Sequence, residues 1–112
     1  MEKINIEDFT KADLRVGEIV SAEEHPNASK LLVLKVYFGS EIGERTIVAK
    51  LREYYRKDKL EGKKAVFIIN LEPVVLRGIE SNGMILAVSD DYKSKVVFIE
   101  PEQDIDAGSK IR

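Results

Sequence analysis

The sequence predicts an all-β domain with one short helix, folded as a five-stranded barrel. Two observations predict it. Short apolar runs of strand length, separated by turn residues, dominate the 112 residues, and only one segment has the composition of a helix. A chain of this length can bury one modest core. Because no internal repeat or Gly/Ser-rich linker divides it, we expect residues 1–112 to form a single domain.

The first three predicted strands follow one another as a meander. Gly17 interrupts the first apolar run and predicts a bulge or a sharp bend there. A turn at residues 25–28, in which Pro26 fixes one backbone dihedral, leads to the second run, and a Gly-containing loop at residues 39–43 leads to the third. The three strands are predicted at residues 14–22, 31–38 and 45–49.

One helix is predicted at residues 51–60, where helix formers such as Arg52 and Lys57 surround apolar Leu51, and it ends before Gly62. The remaining strands are predicted at residues 65–71 and 84–89, with a sixth near residues 96–99. The resulting order β-β-β-α-β-β is that of the OB-fold. It favours this barrel over the SH3-like barrel, which is the competing architecture.

The charge of the chain is unevenly distributed. Its net charge of −2 is not typical of a nucleic-acid binder, but the window from Arg45 to Lys64 holds eight basic and three acidic residues, a local charge of +5. Screening confines each charge to roughly 10 Å, so a local basic region can attract a polyanion even on an acidic protein. A solvated helix face on a charge-rich protein would give the same pattern, and both interpretations stay open here.

The residues that catalysis requires are scarce. The absence of cysteine excludes disulfides, thiol nucleophiles and cysteine-ligated zinc. His25 is the only histidine and lies in a turn beside a proline, so we expect it to be structural or solvent-facing. Adjacent Asp90 and Asp91 would point to opposite faces of an extended segment, so they form no acid–base pair. The sequence therefore predicts a binding module and not an enzyme, with no cofactor and no metal site.

Two absences bear on where the protein works. No apolar run approaches the roughly 20 residues that cross a membrane, and the first residues lack the apolar core of a signal peptide. We therefore expect a cytoplasmic protein. Because Met1 precedes the predicted domain by only a few residues, the sequence favours a stand-alone polypeptide, although a domain excised from a longer protein with a new start codon would look the same.

Two groups of motifs resemble the tRNA-binding domain family, and they occur in the family's order. The first group is DLRVG at residues 13–17 with HPNASKL at residues 25–31, and the second is NLEP at residues 70–73 with LRGIESNGM at residues 76–84. The resemblance extends over residues 9–112. It implies an OB-fold, usually a homodimer, that grips the outer corner of tRNA largely without reading its sequence. The family includes domains of methionyl-tRNA synthetases, free-standing tRNA-binding proteins and a chaperone linked to protein secretion.

The resemblance also implies a set of RNA-binding residues, namely Asn27, Lys30, Arg77, Ser81 and Met84. Lys30 and Arg77 can neutralise phosphate, and a guanidinium can do so with two hydrogen bonds. Asn27 and Ser81 can hydrogen-bond phosphate or a 2′-hydroxyl, while Met84 offers a soft apolar surface to a ribose or base. Each of the last three has an alternative role: Asn27 can hold its turn, Ser81 can satisfy loop backbone groups, and Met84 can belong to the core.

Two further regions depart from the motifs or add to them. A secondary basic region is predicted at Lys50, Arg52, Arg56 and Lys57. Many members of the family carry basic residues where this chain has Val74 and Val75, so positive charge is missing beside the predicted site. Two exposed valines would instead suit a dimer contact, because apolar surface patches mark interfaces.

The favoured function is that of a tRNA-binding accessory protein or subunit that assists an aminoacyl-tRNA synthetase, with the methionyl enzyme as the first candidate. Such a protein would raise the local concentration of tRNA for its partner, so that affinity grows by tethering. The alternative is a peptide-binding chaperone of the secretion-related branch. The overall acidity and the uncharged Val74 and Val75 keep that alternative open.

Overall fold

The computed structural model describes all 112 residues and confirms the predicted barrel. Its strands, in chain order, are β1 (Leu14–Glu24), β2 (Leu32–Tyr37), β3 (Glu44–Ala49), β4 (Lys64–Ile68), β5 (Val74–Leu76), β6 (Ile79–Ser81), β7 (Met84–Ile85), β8 (Ala87–Ser89) and β9 (Val96–Phe98). Five strands form an antiparallel sheet in the order β3-β2-β1-β4-β7, while β5-β6 and β8-β9 are separate two-stranded sheets. The helices are α1 (Ile6–Thr10), α2 (Gly39–Ile42) and a 3₁₀ turn at Lys57–Lys59. None of them has the length and apolar character needed to cross a membrane.

The two edges of the five-stranded sheet meet and nearly close it into a barrel. The backbone N–H of Asn82 donates to the carbonyl oxygen of Thr46 at 2.9 Å. The N–H of Val48 donates to the side-chain oxygen of Ser81, also at 2.9 Å. Residues just before β7 thus bond to β3, the opposite edge, which gives the OB-like barrel that the strand order predicts.

The barrel interior is filled by alternate residues of the strands, as the two-residue period of a strand requires. On β2 the buried positions are Leu32, Leu34 and Val36. The rings of Phe38 and Phe67 meet edge to face, with centroids 5.3 Å apart.

Gly17 serves this packing, and of the two predicted features, a bulge or a sharp bend, the bulge does not occur there. It pairs with Ala65 in regular register, and the irregularity of β1 lies further on, between Ile19 and Ser21. A β-carbon on Gly17 would lie 2.6 Å from the Phe38 ring. The glycine is therefore needed because two aromatic rings occupy the space that a side chain would take.

The prediction of a helix at residues 51–60 is also wrong. This segment contains a turn after Leu51 and the 3₁₀ turn at Lys57–Lys59, separated by Arg56 in an extended conformation. A helix with apolar residues at 51, 54 and 55 needs another at 58 to continue its buried face, and Asp58 stands there. Leu51 and Leu60 are both buried, so the segment is held at its ends and remains irregular between them.

Other boundaries differ for identifiable reasons. The predicted loop at residues 39–43 contains the single turn α2, and α1 and the β5-β6 hairpin were not predicted. The predicted strand at residues 84–89 is divided at Leu86. The Leu86 N–H donates to Val66 of β4, while its carbonyl accepts from Ile99, so the chain changes pairing partner at this residue.

Candidate nucleic-acid interface

The two chain segments that carry the predicted RNA-binding residues meet in the structure. One is the turn between β1 and β2, and the other is the β5-β6 hairpin. Buried His25 joins them, because its Nε2 lies 3.0 Å from the carbonyl oxygen of Leu76. Residues that are distant in sequence are thereby brought to neighbouring positions.

The β1-β2 turn presents Asn27 and Lys30 to solvent. The backbone N–H of Asn27 donates to Nδ1 of His25 at 3.0 Å, which fixes the turn. The side-chain amide of Asn27 is exposed and forms no intramolecular hydrogen bond. The Lys30 side chain is 61% exposed, and its ammonium lies 3.8 Å from Glu53, at the outer limit of an ion pair. Such a long surface pair is weak and is easily exchanged for a phosphate.

Arg77 lies at the tip of the hairpin in a strained conformation. Leu76 pairs with Ile79, so Arg77 and Gly78 form a two-residue loop. Both have positive φ, 51° and 91°, as in a type I′ turn, where Asn and Gly are the usual residues. A long side chain at positive φ costs on the order of 1 kcal/mol or more, and such strain concentrates at functional positions. The Arg77 guanidinium is exposed and belongs to none of the ion pairs of the structure.

Ser81 occupies a different environment from the other predicted residues. It is 5% exposed, and its hydroxyl accepts from the N–H of Val48 and donates to the carbonyl of Gly83 at 3.1 Å. The structure thus gives this side chain the backbone-satisfying role that was the alternative at the sequence level. Its hydroxyl proton is already used inside the barrel.

Met84 lies at the edge of an apolar groove of about 810 Å³. The side chain is half exposed and does not belong to the core cluster. The groove is bounded by both segments of the interface and by β3, and its lining includes Leu31, Val48, Val74, Leu76 and Ile85. Lys50 contributes a positive charge at its edge, and Glu72 a negative one.

The secondary basic region is largely paired with carboxylates. Arg52 lies 3.3 Å from Glu24, Arg56 lies 3.4 Å from Asp58, and Lys57 lies 3.4 Å from Glu23. Arg52 also donates to the carbonyl of Ala28, so it supports the β1-β2 turn. Of the predicted set, Lys50 alone is outside the ion pairs, and it faces the groove.

Two lysines of the same basic window that were not among the predicted binding residues have no carboxylate partner. Lys59 and Lys63 are exposed, form no ion pair, and line a depression together with Tyr54 and Tyr55. The charge count of the window included both lysines, but only the structure shows which of its cations carboxylates neutralise. No group of three or more histidine or acidic side chains that could hold a metal ion is present.

Comparison with known proteins adds a family assignment to this geometry. The tRNA binding domain family model matches residues 14–110. Methionine–tRNA ligase of Pyrococcus furiosus is 46% identical over all 112 residues, and the chain spans 15% of that relative's length.

Two solved structures are also similar over their whole length. The crystal structure of a MetRS related protein from Pyrococcus horikoshii superposes with a TM-score of 0.92 at 33% identity, covering all of both chains. The chaperone CsaA from Bacillus anthracis gives a TM-score of 0.88 at 30% identity, covering 99% of this chain and all of the other.

Proposed function

The chain belongs to the tRNA-binding domain family, and we propose that it binds tRNA through backbone contacts and delivers it to an aminoacyl-tRNA synthetase. The observation that carries this proposal is the junction of the β1-β2 turn with the β5-β6 hairpin through His25. It sets exposed Lys30 and Arg77 on adjacent segments, and their sequence neighbours Leu31 and Leu76 line one groove. Both segments carry motifs of the family.

The proposed contacts suit a folded RNA better than an extended single strand. Stretches of single-stranded nucleic acid are bound by exposed aromatic platforms, whereas neither the β1-β2 turn nor the β5-β6 hairpin contains a phenylalanine, tyrosine or tryptophan. Lys30 and Arg77 would neutralise phosphates, Asn27 would hydrogen-bond a phosphate or a 2′-hydroxyl, and Met84 would contact a ribose or base. Recognition would then depend on the shape of the tRNA backbone and not on base sequence.

The proposed partner is a methionyl-tRNA synthetase, because a methionine–tRNA ligase that is 46% identical to this chain contains the matching region as 15% of its length. The domain would contribute no chemistry of its own. It would hold tRNA near the catalytic unit, acting as a non-catalytic subunit or accessory protein in the cytoplasm, where tethering raises the effective tRNA concentration.

A gel-shift titration with unfractionated tRNA over a range of salt concentrations tests the proposal. We expect the logarithm of the binding constant to fall with the logarithm of salt, with a slope of roughly −0.7 to −0.9 for each phosphate contact. Lys30→Ala and Arg77→Ala should each weaken binding about tenfold and make the slope shallower by about one contact. Lys35→Ala, an exposed lysine on the outside of β2, is the matched control. Absent or salt-independent binding would contradict the function, and wild-type affinity in both site variants would contradict the site.

We also propose that the chain forms a homodimer. Two apolar surfaces support this: Val74 and Val75 on the hairpin, and a second patch that contains Ile6, Phe9 and Ile111. Sedimentation of Val74→Asp and Phe9→Asp distinguishes them, with Val88→Asp as an exposed-valine control. We expect wild type to sediment as a dimer, and the variant that alone sediments as a monomer identifies the contact. A monomeric wild type would contradict the proposal.

A peptide-binding chaperone is the second candidate function. The apolar groove and the similarity to CsaA chaperone structures favour it. A fluorescein-labelled apolar nonapeptide separates the two functions by anisotropy. Chaperone function requires peptide binding with little salt dependence and its loss in Val74→Asp, which introduces a charge into the groove. If the function is tRNA binding, the peptide should not bind, and the affinity for tRNA should still fall steeply with salt.

A further inference from the structure

The single histidine of the chain is built into the interface without being available to a ligand. His25 is 2% exposed. A backbone N–H can only donate, so Nδ1 of His25 must accept from Asn27, and a carbonyl can only accept, so Nε2 must carry the proton directed at Leu76. Both ring nitrogens are therefore engaged, Nδ1 as an acceptor and Nε2 as a donor.

Apart from this hydrogen bond, the hairpin is attached to the barrel mainly at its base. β5 and β6 pair only with each other and not with the five-stranded sheet, although β6 packs against β3. At its base the hairpin is fixed by Ser81 and Asn82, which bond to β3. At its tip, the hydrogen bond from His25 reaches Leu76, the residue directly before Arg77. The direction of the Arg77 turn therefore depends on the imidazole.

We propose that His25 is a positioning residue for tRNA binding, which holds the Arg77 turn at a fixed distance from Asn27 and Lys30. The inference rests on the proposed function. Phosphates of a folded tRNA have fixed spacing, so two cations on independently moving loops would lose binding energy to the ordering of those loops. The histidine removes that loss by joining the loops before the RNA arrives.

Two substitutions separate the two hydrogen bonds of the ring. The Oδ1 of an asparagine stands where Nδ1 stands, so His25→Asn keeps the acceptor for Asn27 and loses the donor to Leu76. The Nε2 of a glutamine reaches about as far as that of histidine, so His25→Gln keeps the donor to Leu76. His25→Ala loses both, and it also leaves a cavity where the buried imidazole stood, which endangers the fold.

The test is a double-mutant cycle with unfractionated tRNA, in low salt and well below the unfolding temperature of every variant. We expect Arg77→Ala to weaken binding about tenfold in the wild-type background but less than about threefold in His25→Asn, because Arg77 is no longer held in place. In His25→Gln the full effect of Arg77→Ala should return. Lys30→Ala should lower the tRNA affinity by the same factor in wild type and in His25→Asn, because His25→Asn retains the β1-β2 turn.

A purely structural histidine would lower the unfolding temperature and leave these coupling factors unchanged. The proposal is overturned if His25→Asn binds tRNA like wild type. It is equally overturned if Arg77→Ala costs the same factor in both backgrounds. Failure of the proposed function is a separate result, since wild type would then show no salt-dependent tRNA binding at all.

Discussion

The hydroxyl of Ser81 accepts a hydrogen bond from the backbone N–H of Val48 at 2.9 Å. This side-chain hydrogen bond helps to close the barrel at β3, where a backbone bond from a neighbouring strand would otherwise be expected. Both groups are buried. The same hydroxyl donates to the carbonyl of Gly83, so one side chain satisfies backbone groups on both sides of the line where the two sheet edges meet. Ser81 therefore joins the interface hairpin to the barrel core.

Replacing Ser81 by alanine should destabilise the fold by about 1–3 kcal/mol, since it leaves the buried N–H of Val48 without an acceptor. Chemical denaturation of Ser81→Ala measures this change, with Ser89→Ala on exposed β8 as the control. The folded variant should retain tRNA affinity within about twofold at low temperature, because the hydrogen bonds of Asn82 and His25 still hold the hairpin in place. A stable Ser81→Ala variant with sharply weaker binding would instead return Ser81 to the set of RNA contacts.

Arg77 should show opposite effects on stability and binding. Arg77→Gly removes the strain of a side chain at a φ of 51° and should raise the free energy of unfolding by about 1 kcal/mol. The same change should weaken tRNA binding about tenfold, because a phosphate contact is lost. Lys93 is the other non-glycine residue at positive φ, so Lys93→Gly is a matched control. It should gain stability without losing affinity, and equal affinity losses in both variants would refute the assignment of Arg77.

Gly17 should tolerate no side chain. In Gly17→Ala the new methyl would lie 2.6 Å from both the Phe38 ring and Val36, and 2.9 Å from Phe67. Overpacking of this kind costs about 1–3 kcal/mol, which thermal unfolding can detect. Ser21→Ala in the same strand is the control and should be nearly neutral. An unfolding temperature for Gly17→Ala equal to that of wild type would show that the rings move aside freely.

Strand positions were predictable from the sequence because alternation and turn residues are local signals. The β2 run and its neighbours appear within a few residues of their predicted bounds. The β5-β6 hairpin was not predicted, because its strands have three residues each and its turn places Arg77, an unusual residue, at positive φ. The segment after Leu51 has helix-forming composition, but its fold is decided by the burial of Leu60 in the core.

The candidate site was only partly readable from residue types. Exposure of Asn27, Lys30 and Arg77 agrees with a role in binding, and a family motif was sufficient to select them. The role of His25 was not readable, because it depends on a hydrogen bond to a carbonyl 51 residues away. The pairing of Arg52 with Glu24 likewise depends on the fold and not on the charge window.

The ion pair of Asp13 and Arg15 should make stability depend on pH. Arg15 donates to Asp13 from Nε at 2.7 Å and also to the carbonyl of Gly108, which ties β1 to residues near the end of the chain. The hydrogen bond from Arg15 lowers the pKa of Asp13 below the ordinary value of about 3.9. A lowered folded-state pKa contributes stability that is complete above the unfolded-state pKa and is lost as pH falls through the folded-state value.

The difference in unfolding free energy between wild type and Asp13→Asn should therefore be constant near neutrality and shrink below about pH 4. Asp58→Asn, which breaks an exposed pair with Arg56, should show little difference at any pH. A gap for Asp13→Asn that stays constant down to the acid limit of folding would contradict the ion-pair origin of this stability.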